Sequence, residues 1–248
     1  MTILDLFSEK SDLYASARPQ YPRAVFEFIA TAAPAAARVW DCGTGSGQAA
    51  VGLAEFFSEV HATDVSMQQI AHRLDRANIH YSVQPAEATA FPPQFFDAVV
   101  VAQALHWFDF ERFWPEVKRV LKPRGLFAAW TYDWFFITPE IDAIVQKQLL
   151  DVIAPYWSPR NRIAWGGYRE LEIPFSPLAV PAIDMPLSWN LDQLLAYLHT
   201  WSAVRQCIRE RGLAFFEQAA QALAHAWGER ETARALRMNF YVLAGRNA

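Results

Sequence analysis

The sequence predicts an α/β fold: a mostly parallel sheet with helices on both faces. Three observations predict it. Residues 38–132 alternate between short apolar runs and longer runs of helical period. Three glycines at alternate positions, Gly43, Gly45 and Gly47, separate the first apolar run from the first helical one. Asp41, Asp64, Glu87 and Gln103 lie at or just past the ends of the apolar runs. In such a sheet, ligands bind outside the carboxyl ends of the strands.

The elements follow in order. Residues 1–37 precede the first strand, with a helix over 25–33 and Pro22 near its start. Upstream, Phe7, Tyr14, Arg18 and Tyr21 sit on chain too irregular for one helix and read as a surface arm. Strands are expected at 38–41, 60–64, 80–84, 98–102 and 126–132, and helices at 47–57, 66–76 and 110–121. Ser66 is the N-cap of the second of these helices, and Pro123-Arg124-Gly125 is a turn. Beyond 132 the alternation stops. Residues 139–154 read as helical, 155–181 are rich in Pro, Trp, Arg and Gly, and 178–189 can hold a strand. Two or three helices fill 190–228, with Gly212 and Gly228 as stops, and 234–244 is a last strand. One domain is expected: an arm or lid (1–37), a ligand-binding core (38–132), a cap and substrate region (133–228) and a closing strand (229–248).

Composition narrows the class. The chain has 248 residues, 53% hydrophobic and 19% charged, enough for a real core. A net charge of -4, with no Lys/Arg cluster, argues against a nucleic-acid surface. Cys42 and Cys207 have neither disulfide nor metal-ligand spacing, so no metal is expected. No basic region followed by an apolar one opens the chain, and the longest apolar run is too short to span a bilayer. A cytoplasmic protein without membrane contact is expected, its oligomeric state left open.

The glycine spacing narrows the ligand. A dinucleotide fingerprint needs G-x-G-x-x-G, but Gln48 stands where the third glycine would be, and no Gly-Lys-Ser/Thr of a P-loop is present. Asp64, ending the second strand, can accept both hydroxyls of a ribose. Asp41, just before the loop, suits an ammonium and not a pyrophosphate. A ligand with a ribose and a cationic end but no phosphate fits, and S-adenosylmethionine is such a ligand.

Residues 39–48, Val-Trp-Asp-Cys-Gly-Thr-Gly-Ser-Gly-Gln, resemble the first motif of the class I S-adenosylmethionine-dependent methyltransferases. His61-Ala62-Thr63-Asp64, Ala86-Glu87-Ala88, the run from Phe96 to Phe108, and that from Val120 to Phe127 match further motifs in order. Gln103-Ala104-Leu105-His106-Trp107-Phe108 and Arg18-Pro19-Gln20-Tyr21-Pro22 resemble the small-molecule branch that includes trans-aconitate methyltransferases. The resemblance implies a Rossmann-like fold with a seven-stranded sheet, a helical cap insertion and an antiparallel last strand. For the cofactor it implies Gly43, Thr44, Gly45 and Gly47 in the loop and Asp64 on the ribose, with Val65 beside it. Ala86 and Glu87 meet the adenine, Gln103 borders the methionine part, Asp41 holds the ammonium by fixing the loop, and Arg18, on the lid, pairs with the methionine carboxylate. Pro85 stands where the family often has Asp, which removes a carboxylate and an N–H.

For the acceptor, the resemblance implies Tyr14, Tyr21, His106, Trp107, Trp130 and Tyr132 around a small molecule. The Asn/Asp-Pro-Pro-Tyr of amide and amine methylation is missing. The expected reaction is O-methylation of a carboxylate, which needs no base. Two alternatives stand beside it: O-methylation of a hydroxyl with His106 as base, and a cofactor-binding protein without transferase activity. His106 can equally be structural, packed with Trp107. Arg160, Arg162 and Arg169 in the cap would suit an anionic acceptor.

Overall fold

The structure, a computed structural model, describes residues 18–248. The chain divides into two compact units. One comprises Tyr21–Asp133, Arg160–Met185 and Asn239–Ala248. The other comprises Trp134–Pro159 and Pro186–Met238, together with residues 18–20. The segment Arg160–Met185, expected in the cap, groups with the core instead.

In the first unit, β1 (Arg38–Cys42), β2 (Glu59–Asp64), β3 (Ile79–Val83), β4 (Phe96–Ala102) and β5 (Leu121–Phe136) form the parallel part of the sheet. The described strands run in the order β3-β2-β1-β4-β5-β8-β6, where β6 is Ser176–Pro177, β8 is Arg234–Arg246 and β7 (Met185–Trp189) also pairs with β8. The sheet thus has eight strands among the described residues, not seven, because the two short strands β6 and β7 both attach to β8. β6 pairs with β8 antiparallel. Strand order reverses between β1 and β4, and that crevice is where a ligand belongs.

Alternate residues of each strand enter different cores, as a period of two requires. Val39, Val100, Ala128 and Trp130 pack with Val25, Phe26 and Ile29 of the helix Arg23–Ala32. Trp40, Val99, Val101, Phe127 and Ala129 pack with Phe113 and Val117 of the helix Phe110–Val120. A sheet covered on both faces explains why these strands read as nearly continuous apolar runs.

Several elements differ from expectation, among them the helix after β1, which ends at Leu53 instead of 57. The helix after β2 stops at Ala71 instead of 76. The Leu74 backbone is drawn elsewhere: its N–H donates to Ser46 O at 3.0 Å, and the Tyr81 hydroxyl donates to its carbonyl at 2.8 Å. Pro123-Arg124-Gly125 is not a free turn but an excursion within β5, since Leu121 pairs with Phe96 and Leu126 with Ala98. Arg124 takes φ +61° there, and Lys122 Nζ reaches Asp97 Oδ1 at 2.7 Å. The helix expected over 139–154 comes in pieces: Pro139–Val145, a wider turn at Gln146–Leu150, then Asp151–Ile153 and Ala154–Tyr156.

The second unit is helical and aromatic. Leu191–Thr200 opens with a capping box in which Asn190 accepts from Gln193 N and the Gln193 side chain accepts from Asn190 N. Ser202–Arg211 and Ala214–Trp227 end at Gly212 and Gly228, as the sequence predicts. Trp134, Trp157 and Trp201 meet edge-on or tilted, with centroids 5.5–6.1 Å apart.

Candidate functional site

The glycine loop joins β1 to the helix Gln48–Leu53. Gly43, Gly45 and Gly47 take φ +71°, +58° and +93°, so the alternate glycines are a backbone requirement. Gly43 lets this loop touch the one after β4: a Cβ there would lie 2.8 Å from Ala104 Cβ. The loop's own N–H groups are largely committed. Gly43 and Thr44 donate to Thr63 O, Gly47 donates to Thr44 O, and Gly45 donates to Asp64 Oδ2. The loop therefore offers a close backbone approach more than spare donors. Thr44 also faces inward, its hydroxyl donating to Asp41 Oδ2.

Asp41 is fully buried, and its Oδ1 meets no hydrogen-bond partner. Burial pushes its carboxyl up to about 7, against the pull of the Thr44 hydroxyl and the Ala50 N–H, and the nearby Asp64 charge adds to the rise. A cation brought to this loop would favour the ionised form through its charge.

Asp64 ends β2 as predicted, but each of its oxygens already accepts a backbone N–H: Oδ2 from Gly45 at 2.9 Å and Oδ1 from Ser66 at 2.8 Å. Each keeps a further lone pair for a ribose hydroxyl. Next to it Val65 is 70% exposed and Met67 73%, an open apolar surface of the kind a flat base covers. Ala86 is buried. Glu87 Oε1 accepts from the N–H of Asp109, at the start of the helix Phe110–Val120.

Gln103 ends β4 with φ +56°, uncommon for a non-glycine residue. Three bonds to β5 hold it: its N–H donates to Trp130 O at 2.9 Å, its Nε2 to Tyr132 O at 3.5 Å, and its Oε1 accepts from the Thr131 hydroxyl at 2.7 Å. The loop then makes one tight turn, Leu105–Trp107, which buries His106 and leaves Trp107 47% exposed. The two rings are tilted with centroids 4.7 Å apart. His106 Nδ1 lies 3.4 Å from the Tyr168 hydroxyl. Burial lowers the imidazole to about 4, and the positive charge of Arg160 adds to this. Arg160 donates to the Trp107 carbonyl at 2.7 Å and to that of Phe108 at 3.3 Å, so it fixes the loop.

Of the remaining expected residues, Trp130 needs correction. It is wholly inaccessible, edge-on to Tyr21 at 5.5 Å and to Phe26 at 6.1 Å, and belongs to the core. Tyr21 and Tyr132 are half-buried neighbours with centroids 6.4 Å apart. Arg18 is exposed and falls in the other unit. Tyr14 lies outside the described residues. Arg169 lies over the Tyr241 ring at 5.0 Å. Three residues that hold the site have no local signal in the sequence: Tyr81 under Gly47, Thr131 on Gln103, and Tyr168 on His106. Among the described residues no His, Cys, Asp or Glu group is gathered to hold a metal ion, and no helix is long and apolar enough to cross a membrane. The set suits a ligand with ribose hydroxyls, a flat base and a cationic end: a carboxylate with spare lone pairs, an apolar ledge, a glycine cradle and an orphan buried carboxylate oxygen.

Residues 40–129 match a family model described as a methyltransferase domain. A Dictyostelium discoideum protein provisionally named a methyltransferase is 30% identical over 209 residues, covering 83% of this chain and 80% of that protein. A Saccharomyces cerevisiae protein provisionally named an S-adenosylmethionine-dependent methyltransferase is 29% identical over 136 residues, 51% of this chain and 45% of that one. A solved structure from Anaeromyxobacter dehalogenans, provisionally titled a type II methyltransferase, is 42% identical with a TM-score of 0.84, covering 92% of this chain and 97% of that chain.

Proposed function

The chain belongs to the class I S-adenosylmethionine-dependent methyltransferases, and from that premise we propose that its acceptor is a small molecule, methylated on a carboxylate oxygen. When bound, S-adenosylmethionine supplies an electrophilic methyl group on a sulfonium. In this reading Gly43, Gly45 and Gly47 admit it, Asp64 holds the ribose, and Val65, Ala86 and Glu87 flank the base. Asp41 balances the cationic end, and Gln103 lines the methionine side.

One observation carries the choice of acceptor: His106 is buried beside a cationic Arg160 and lowered to about 4. A general base works best with a pKa near the operating pH. An imidazole this weakly basic suits a hydroxyl poorly. A carboxylate arrives already ionised above its own pKa of about 4. It needs alignment and exclusion of water, not deprotonation. The neighbouring positive charge also favours an anion. A small-molecule acceptor fits the net charge of -4 better than a nucleic acid does.

The test is release of S-adenosylhomocysteine with two matched panels, small carboxylic acids and small alcohols or phenols. Acids are expected to turn over. If an alcohol or phenol is the better substrate, and His106→Asn costs it roughly 10²-fold, the carboxylate reading is wrong and His106 is a base.

A further inference from the structure

The loop carrying Tyr168 is held in an unfavourable shape. Gly167 and Tyr168 are consecutive left-handed residues, φ +66° and +59°, and Tyr168 lacks a glycine's freedom to adopt that shape. Tyr241 closes over Gly167, where a Cβ would meet its ring at 2.6 Å. Tyr241 in turn is pinned, its hydroxyl donating to Asp133 Oδ2 at 2.9 Å. Strain of this kind persists only where the surroundings enforce it, and it collects at functional sites. Here it brings the hydroxyl of a side chain only 1% exposed to 3.4 Å from His106 Nδ1. Among the described residues, Nε2 of the same ring meets no partner.

We propose that Tyr168 is a positioning residue for methyl transfer: its hydroxyl donates to His106 Nδ1, so the ring proton sits on Nε2, and Nε2–H holds one oxygen of the acceptor carboxylate. The other carboxylate oxygen is then left to face the methyl group. The inference rests on the carboxylate reading and deepens it.

The direction of the bond follows from the donors present. Burial keeps the Tyr168 proton on, well above the usual phenol range, so the residue is a neutral phenol with one proton to give. The Thr131 hydroxyl, and after it the backbone N–H groups of Leu105 and His106, lie close enough to its oxygen to pull the other way, so polar groups already surround it. A protonated Nδ1 would add a further donor to that oxygen. The Thr131 proton is committed to Gln103 Oε1 at 2.7 Å. Tyr168 therefore has two recipients in reach, the Thr131 oxygen and Nδ1 at 3.4 Å, and the proposal gives its proton to Nδ1.

The experiment is a long-range proton–nitrogen correlation spectrum of the full chain labelled with nitrogen-15 histidine at pH 7, with His106 identified by the signals lost in His106→Asn. The expected spectrum has a protonated, pyrrole-type Nε2 and a pyridine-type Nδ1. In Tyr168→Phe the Nδ1 signal should move toward that of a nitrogen without a hydrogen bond, and kcat/KM for the acid should fall about tenfold, mostly through KM. A pyrrole-type Nδ1 in the unmodified protein overturns the proposal and gives the Tyr168 proton to Thr131. So does an Nδ1 signal unmoved by Tyr168→Phe. The spectrum needs no turnover, so the two readings fail separately. The expected spectrum without turnover of any acid would overturn the carboxylate assignment and leave the ring orientation standing.

Discussion

The two ends of the site are built differently. At the β1–β2 end, all parts but Tyr81 come from one stretch, Asp41 to Ser66, and the construction is mostly backbone: left-handed glycines and N–H groups gathered by Asp64. At the β4–β5 end, Gln103 and His106 are held by Thr131 and Tyr168, side chains up to 62 residues away. The first end follows a path that glycine permits without strain and backbone hydrogen bonds hold. The second is held by hydrogen bonds between distant side chains. Substitutions should therefore act on the first end through shape and on the second through chemistry.

The largest expected effect tests shape. At Gly47 a Cβ would run into the Tyr81 hydroxyl, and φ is +93°. Gly47→Ala then combines left-handed strain with overpacking, roughly 2–5 kcal/mol together. At Gly45 the nearest atom to a Cβ is Gln69 Oε1 at 3.8 Å, so Gly45→Ala carries the backbone term alone, about 1–2 kcal/mol. Denaturant melts of the two variants should rank in that order. Equal losses would mean that Tyr81 yields easily and that packing does not set the loop.

The next effect contrasts the two ends by pH. His106 is lowered from 6.5 to about 4, so between those values the unfolded chain binds a proton that the folded one refuses. Its contribution is complete above pH 6.5 and is lost as pH falls toward 4, by about 3 kcal/mol at most. Asp41 is raised from 3.8 to about 7, so there the folded chain keeps a proton that the unfolded one releases. Its effect runs the other way, with stability falling as pH rises from 3.8 to 7. The two slopes oppose each other between pH 4 and 6.5. Relative to the unmodified protein, His106→Asn should lose stability with rising pH, and Asp41→Asn should gain it. Parallel stability–pH curves for all three proteins would show that neither group titrates as its burial requires. A related consequence concerns rate. With His106 near 4, no limb at the ordinary histidine pKa is expected between pH 6 and 8, whichever oxygen accepts the methyl group.

What the sequence made legible follows the same division. The glycine spacing, Asp64 and the strand-helix alternation are local patterns, and the structure has the strands and most helices where those patterns put them. Asp64 was legible as a strand-end carboxylate. Its grip on Gly45 N and Ser66 N was not, because a side chain's backbone partners depend on the loop path. Trp130 was misplaced for a related reason: strand periodicity identifies a face, but only packing with Tyr21 and Phe26 decides that this face is core at that point. Tyr168 lay hidden in a Pro- and Arg-rich stretch, since no spacing connects it to His106.

Asp64 itself gives a smaller effect. Asp64→Ala removes the acceptor of two loop N–H groups as well as the proposed ribose contact. A charge-assisted hydrogen bond is worth about 1.5–3 kcal/mol, so affinity for S-adenosylhomocysteine should fall tenfold or more by calorimetry. Because the loop also loses its tie, the melting temperature of the unliganded protein should drop too. Unchanged affinity would put the ribose elsewhere.

The smallest effect separates backbone from side chain at one residue. Ser66 does two things: its N–H donates to Asp64 Oδ1 at 2.8 Å, and its hydroxyl accepts from Gln69 N at 3.3 Å as the cap of the helix Met67–Ala71. Ser66→Ala removes only the second. An exposed, long cap on so short a helix belongs at the low end of capping energies, about 0.5 kcal/mol. The N–H is untouched, so Asp64 should stay oriented and cofactor affinity should not change. If Ser66→Ala instead weakens S-adenosylhomocysteine binding as much as Asp64→Ala does, the β2 end depends on its side chains after all. The contrast between a backbone-built end and a side-chain-built end would then fail where it is easiest to check.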